Sequence, residues 1–245
     1  MTVTDEFRDA RDRLIELRSD YDAARESFAW PDFSHFNFGI DWFDRIAEDN
    51  DDPALWIVEQ DGSEGKWSFA ELAARSNQVA NFLRRSGVQR GDHVMVMLNN
   101  QVELWETMLA GIKLGAVLMP ATTQLGPIDL TDRAERGHAE FVVAGAEDAA
   151  KFDDVDVEVV RIVVGGEPTR QQDYSYSDAD DESTEFDPQG SSRADDLMLL
   201  YFTSGTTSKA KMVAHTHVSY PVGHLSTMYW MGLTPGDVHL NVASP

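Results

Sequence analysis

Three consecutive stretches constrain the fold of this chain most: VQRGDHVMVMLNN, QVELWETMLAGIKL and AVLMP. The first reads as a turn running into a strand with core VMVML. The second has the apolar spacing of a helix, which Gly115 can close, and the third is a short apolar strand. A strand, a helix and a strand within about 30 residues form a βαβ unit, which makes the strands parallel and the crossover right-handed.

The pattern repeats more weakly downstream. PIDLTDRAERG reads as a helix, EFVVAG as a strand and VEVVRIVVGG as a further apolar run. LMLLYFT is expected to be a buried strand leading straight into TSGTTSKAK, and HVSYPVGHLSTMYWMGL the following helix, with Pro221 in its first turn or at a kink. TPGDVHLNVASP reads as a turn and the start of a strand. Upstream, ALWIVEQ and KWSF are strands about the turn DGSEG, and FNFGIDWFDRIAEDNDD contains a short helix. Ser68 and Glu71 have capping-box spacing ahead of a helix that Gly87 can end. The expected fold class is α/β, a layered parallel-sheet domain.

Two segments read differently. Phe7, Ala10, Leu14, Leu17, Tyr21, Ala24 and Phe28 recur three and four residues apart, the stripe of an amphipathic helix docked on the domain or paired as a coiled coil. Thr4 is placed to cap it. Residues 1–29 are therefore set apart from a domain over 30–245. Residues 167–195 are poor in apolar side chains and are expected to be a long exposed loop, with Tyr174 and Tyr176 solvated in it. Trp30, Trp42 and Trp56 are expected in the core or an interface, and Met228, Tyr229, Trp230 and Met231 in core packing.

Charge and composition exclude several functions. Asp and Glu total 43 against 20 Lys and Arg, a net charge of -23. That balance argues against nucleic-acid binding through a basic face. Because the acids are spread along the chain, an acidic surface all round is expected, as in a protein from a halophilic source. The absence of cysteine excludes disulfides and thiolate chemistry. No apolar run reaches membrane-spanning length, and MTVTDEFRDARDRL lacks the apolar core of a signal peptide, so a cytoplasmic protein with no membrane span is expected. His215, His217, His224 and His239 lack metal-ligand spacing, and no metal site is assigned to them. His217 is expected to pack near residues 203–211 and orient them.

Against this acidic background, TSGTTSKAK stands out. Glycine allows close approach of the backbone to a ligand. The hydroxyls of Thr203, Ser204, Thr206 and Thr207, with exposed backbone N–H groups, suit anionic oxygens. Lys209 and Lys211 add charge that phosphate oxygens attract. The stretch therefore reads as an oligophosphate clamp between a strand and a helix. A Walker loop is excluded, because it needs a second glycine followed by Lys and Ser or Thr, and positions 210 and 212 are Ala and Met.

The stretch resembles the [ST]-S-G-[ST]-T-G-x-P-K loop of the AMP-forming acyl-CoA synthetases, luciferases and peptide-synthetase adenylation domains. Thr203, Ser204, Gly205, Thr206, Thr207 and Lys211 match it. Ser208 stands where Gly is usual, Lys209 at the variable position, and Ala210 where Pro is usual. Gly87, Val88, Gly91, Asp92 and Val94 fit the family's G-V-x-x-G-D-x-V turn, and residues 113–120 its Lys-to-Pro strand entry. The resemblance covers roughly residues 30–245 and is nearest to the medium-chain and aromatic acyl-CoA synthetase branch.

The resemblance implies an acid–thiol ligase. ATP, Mg²⁺ and coenzyme A would be its cofactors or co-substrates, a small carboxylic acid its substrate, and residues 203–211 its grip on the β- and γ-phosphates. The family's Y-G-x-T-E and T-G-D segments and its C-terminal domain are not found, so the catalytic residues expected there are unassigned. The chain is expected to be an incomplete N-terminal domain, inactive in isolation unless a C-terminal chain complements it. An adenylation enzyme that loads a carrier protein, or a non-catalytic fragment or split subunit, are the other readings.

The charge makes the first prediction. The Debye length falls from about 30 Å at 0.01 M salt to about 3 Å at 1 M, so self-repulsion at a net charge of -23 should be relieved. The melting temperature is expected to climb steeply with KCl. An unchanged melting temperature between dilute and molar salt would remove the halophilic reading.

Overall fold

The parallel strands implied by the βαβ pattern form the centre of the computed structural model, which describes residues 2–203 and 210–242. In chain order the helices are α1 (Val3–Glu16), α2 (Tyr21–Ser27), α3 (Asp44–Ala47), α4 (Phe69–Arg85), α5 (Val102–Leu114), α6 (Pro127–Gly137), α7 (Ala146–Ala150) and α8 (Ser219–Met231). The strands are β1 (Pro53–Val58), β2 (Glu64–Ser68), β3 (His93–Met97), β4 (Val117–Pro120), β5 (Ala139–Gly145), β6 (Val160–Val164), β7 (Tyr174–Ser175), β8 (Leu197–Thr203) and β9 (Lys211–Thr216). β1 and β2 form a separate hairpin, while the others build one sheet in the order β7-β6-β5-β3-β4-β8-β9. All neighbours are parallel except β8 and β9.

Alternation along each strand divides the core into two layers. Val94 and Val96 of β3, with Val143 of β5 and Ile162 of β6, pack against α4 and α5 through Phe82, Leu83, Ala110 and Ile112. Met95 and Met97, with Val142 and Ala144, pack the other way against Leu130 and Ala134 of α6 and Ala149 of α7. Ser68 and Glu71 form the expected capping box at the start of α4. Gly115 ends α5 at φ 79°, and a Cβ there would meet the Arg90 guanidinium at 2.6 Å.

The amino-terminal stripe is not one helix. It divides at residues 17–20, where Asp20 caps α2 by accepting from the Ala23 N–H. Thr2, not Thr4, caps α1 in a reciprocal box with Asp5, and the Thr4 hydroxyl donates to the Asp41 carbonyl at 2.7 Å. Phe7 packs edge-on to Trp42 at 4.8 Å and joins Phe36, Val222 and Leu225 in a third cluster that ties α1 to α8. Trp42 is buried, but Trp30 and Trp56 are exposed, as is Trp230 at 84%.

Residues 167–195 are not a free loop. β7 extends the sheet, residues 176–181 form a short 3-10 helix, and Tyr176 and Ala179 are buried. The Tyr176 hydroxyl donates to Glu106 Oε2 at 2.9 Å, and Arg75 pairs with the same carboxylate at 3.3 Å. Burial raises the pKa of both Tyr176 and Glu106. The outer face of α4 then holds the segment by its backbone. Asn77 donates to the Thr184 carbonyl, Gln78 to those of Asp180 and Glu182, Asn81 to those of Ser183 and Glu185, and Arg84 to that of Asp187.

Lys113 of α5 is fully buried where α5 meets α4 and α3. Its ammonium donates to the Asn77 side chain at 2.7 Å, Ser76 Oγ at 2.8 Å and the Ala73 carbonyl at 3.2 Å, and lies 2.6 Å from Asp44 Oδ1. Burial lowers the lysine pKa and raises the aspartate pKa, each opposed by its partner. Lys113→Met is expected to destabilise the chain by about 3–5 kcal/mol, because it strands a largely buried carboxylate. Lys113→Met with Asp44→Asn should recover much of that in denaturant melts, and a double variant no better than the single one would show that the pair is not the cause.

His217 begins the turn into α8. Its N–H donates to the Asp196 carbonyl, and its ring is buried with no partner for either nitrogen among the described residues. Thr216, just before it, pairs with Leu197 at the far end of the β8–β9 ladder from Thr203 and Lys211. Among the described residues, His217 therefore lies at the opposite end of the hairpin from Thr203, Ala210 and Lys211, not beside them as expected. Burial lowers its pKa to about 4; the Arg90 charge acts the same way and Asp196 opposes it. The folded chain holds a neutral ring, so this stability is present above pH 6.5 and lost as pH falls towards 4. Relative to His217→Leu, the parent is expected to lose on the order of 2 to 3 kcal/mol between pH 7 and 4.5. A pH-independent difference between the two melts would contradict this.

Candidate functional site

The expected phosphate-binding stretch joins β8 to β9. β8 lies beside β4 in parallel through Leu118 and Leu199, so its carboxyl end points the same way as those of β3 to β7. In an open α/β sheet this is the edge where ligands bind. β9 returns antiparallel, pairing Tyr201 with Val213, Phe202 with Met212 and Thr203 with Lys211. Thr203 and Lys211 thus face each other at the mouth of the connection, both exposed, with half-buried Ala210 just inside it. Ser204, Gly205, Thr206, Thr207, Ser208 and Lys209 lie outside the described residues.

The strand–loop–helix reading is corrected here: a strand stands between the connection and α8. KMVAHT escapes a search for apolar runs because β9 is an edge strand whose first four residues are exposed. A usable signal was present one step later. Thr216 and Ser219 have reciprocal capping spacing, and each backbone N–H donates to the other's hydroxyl, at 2.8 and 3.0 Å.

The two faces of the hairpin differ in chemistry. On one, the guanidinium carbons of Arg133 and Arg136 lie 5.7 and 5.5 Å from the Phe202 ring centre. Arg136 also donates to the Ala210 carbonyl at 2.8 Å and pairs with Asp132 at 2.8 Å. On the other, Tyr201 and Tyr220 hydroxyls meet at 3.4 Å, with His215 and His224 rings against Tyr220. Burial pushes the Tyr201 phenol well above its ordinary range, and the Tyr220 hydroxyl adds to the shift.

A cleft of about 480 Å³ lies elsewhere, lined by Arg75, Glu103, Glu106, Glu167, Tyr176 and Asp180 among others. Four carboxylates against one guanidinium repel a polyphosphate, so this cleft does not compete for that ligand. Sequence reasoning missed it because it depends on the folding of 167–195 onto α5. Among the described residues no group of three or more His, Asp or Glu side chains is gathered for a metal ion.

Comparison with known proteins places this chain in a family. The profile described as AMP-binding enzyme matches residues 42–245. The mitochondrial acyl-coenzyme A synthetase ACSM3 of Mus musculus is 31% identical over 252 aligned residues, which cover 97% of this chain and 43% of that protein. The 4-hydroxybutyrate–CoA ligase 1 of Metallosphaera sedula is 31% identical over 218 residues, 85% of this chain and 38% of that protein. Among solved structures, an acyl-CoA synthetase of Brucella canis superposes with a TM-score of 0.79 at 26% identity, covering 92% of this chain and 43% of that one. The chain therefore spans less than half the length of these relatives.

Proposed function

The chain belongs to the AMP-binding enzyme family, and on that premise we propose that it supplies the triphosphate grip of an AMP-forming acyl-CoA synthetase. The observation that carries this reading is the hairpin mouth at the carboxyl edge of the parallel sheet. There Thr203 and Lys211 bracket a run of hydroxyls and one glycine. ATP, a carboxylic acid and coenzyme A are the substrates under this proposal. The names of the Mus musculus and Metallosphaera sedula relatives, an acyl-coenzyme A synthetase and a 4-hydroxybutyrate–CoA ligase, support a carboxylic acid as the group activated.

The chemistry assigned to residues 203–211 is electrostatic. A carboxylate oxygen of the acid attacks the α-phosphorus of ATP, the bond from that phosphorus to the bridging oxygen breaks, and pyrophosphate leaves with the bonding pair. Negative charge grows on the leaving group, where hydroxyl, N–H and lysine donors fixed in advance stabilise it without reorganisation. The coenzyme A thiol then adds to the acyl carbon, loses its proton and expels AMP. Lys211 is assigned the principal contact, because it is at the resemblance's fixed lysine position and roots in a paired strand residue.

The test is acid-dependent exchange of labelled pyrophosphate into ATP by the protein that carries this chain. Lys211→Ala is expected to lower exchange by about 10²- to 10³-fold, the usual effect of deleting one donor to a developing anion. Lys209→Ala should cost far less. Both should melt within about 0.5 kcal/mol of the parent. If Lys209→Ala is the more damaged, or both exchange at the parent rate, Lys211 does not hold the leaving group.

A further inference from the structure

Among the described residues β9 is the last strand of the sheet, and Thr203 with Lys211 is the last of its pairs with β8. The end of an edge ladder frays easily, and among the described residues no strand pairs with β9 on its outer side. Yet a lysine that meets a phosphate productively has to be held in place. Something other than the ladder is needed at this end.

Arg136 occupies that position. Its Nη2 donates to the carbonyl of Ala210, the first residue past the closing pair, at 2.8 Å. Its guanidinium also lies 5.5 Å from the ring centre of Phe202, the residue before Thr203 on the opposite strand. One planar group therefore touches β8 and the residue that leads into β9, where the hairpin opens. The guanidinium is itself fixed by Asp132, one turn earlier on α6, at 2.8 Å. α6 in turn is anchored in the second core layer by the fully buried Leu130 and Ala134.

We propose that Arg136 is a positioning residue that pins the mouth of residues 203–211 to α6 and so sets the place of Lys211. The role rests on the reading of those residues as a phosphate grip. Proline at position 210 would restrict the backbone covalently; here Ala210 is restrained through its carbonyl instead. Arginine suits the task better than lysine, because a flat fork can stack on Phe202, pair with Asp132 and donate to a carbonyl together.

The experiment compares the 245-residue chain with its Arg136→Gln variant by two measurements. Hydrogen exchange of the backbone amides of residues 210–213 is read against those of β3. The dissociation constant for inorganic pyrophosphate is read by titration calorimetry. Loss of a charge-assisted bond at the ladder end is expected to speed exchange at 210–213 by about tenfold or more while β3 is unchanged, and to weaken pyrophosphate about three- to tenfold. Unchanged exchange at 210–213 overturns the proposal whatever pyrophosphate does. Faster local exchange with equal pyrophosphate affinity also overturns it, leaving Arg136 a structural tie only. Faster exchange with no pyrophosphate binding by the parent removes the phosphate-grip reading and the positioning role with it, while the tie itself stands. If Arg136→Gln exchanges fast throughout the sheet, Arg136→Lys is read instead; it keeps the pair with Asp132 but lacks the flat fork, and the same local rise is expected.

Discussion

Both faces of the parallel sheet have to be covered, and most of the structure follows from that. Val94, Met95, Val96 and Met97 are consecutive and all buried, so β3 is stable only with helices above and below it. Right-handed crossovers put α5 in one layer and α6 and α7 in the other, and α4, which leads from the hairpin into β3, packs in the layer of α5. The parallel strands then end along a common edge, and β8, placed beside β4, delivers Thr203 to that edge. The closely packed layers also trap polar groups. Lys113 is enclosed with Asp44, Ser76 and Asn77, and the Glu106–Arg75–Tyr176 group lies beneath the segment that leads to β8.

The elements legible in the sequence were those that the core makes apolar on both sides. VMVML, AVLMP, EFVVAG and LMLLYFT all appear as strands of the central sheet, and the capping box at Ser68 begins α4 as expected. What was not legible depends on partners distant in the chain. β9 presents few buried side chains, so its strand character comes from pairing with β8 rather than from its own pattern. Residues 167–195 are held by amide and guanidinium donors on the outer face of α4, residues that read alone as a solvated surface. Asn77, Gln78, Asn81 and Arg84 gave no local sign that their partners were backbone carbonyls about a hundred residues away.

The candidate site was legible in a different way. Its residue types, rather than any periodicity, pointed to oligophosphate, and the family match over residues 42–245 agrees with that choice of family. The setting was not legible: a hairpin mouth on a parallel sheet, with Arg136 reaching it from α6 and Lys211 on a strand rather than in a loop that leads to a helix. A strand residue has its direction fixed by the ladder, which suits the phosphate contact proposed for Lys211.

The central claim is that this hairpin mouth receives oligophosphate. The most direct measurement is a titration of the isotope-labelled chain with ATP, following backbone amide resonances. Saturable shifts concentrated in residues 203–211 and their neighbours on β8, β9 and α6 are predicted. Shifts centred on the cleft of Glu103, Glu106 and Glu167, or no saturable shifts at all, would contradict it.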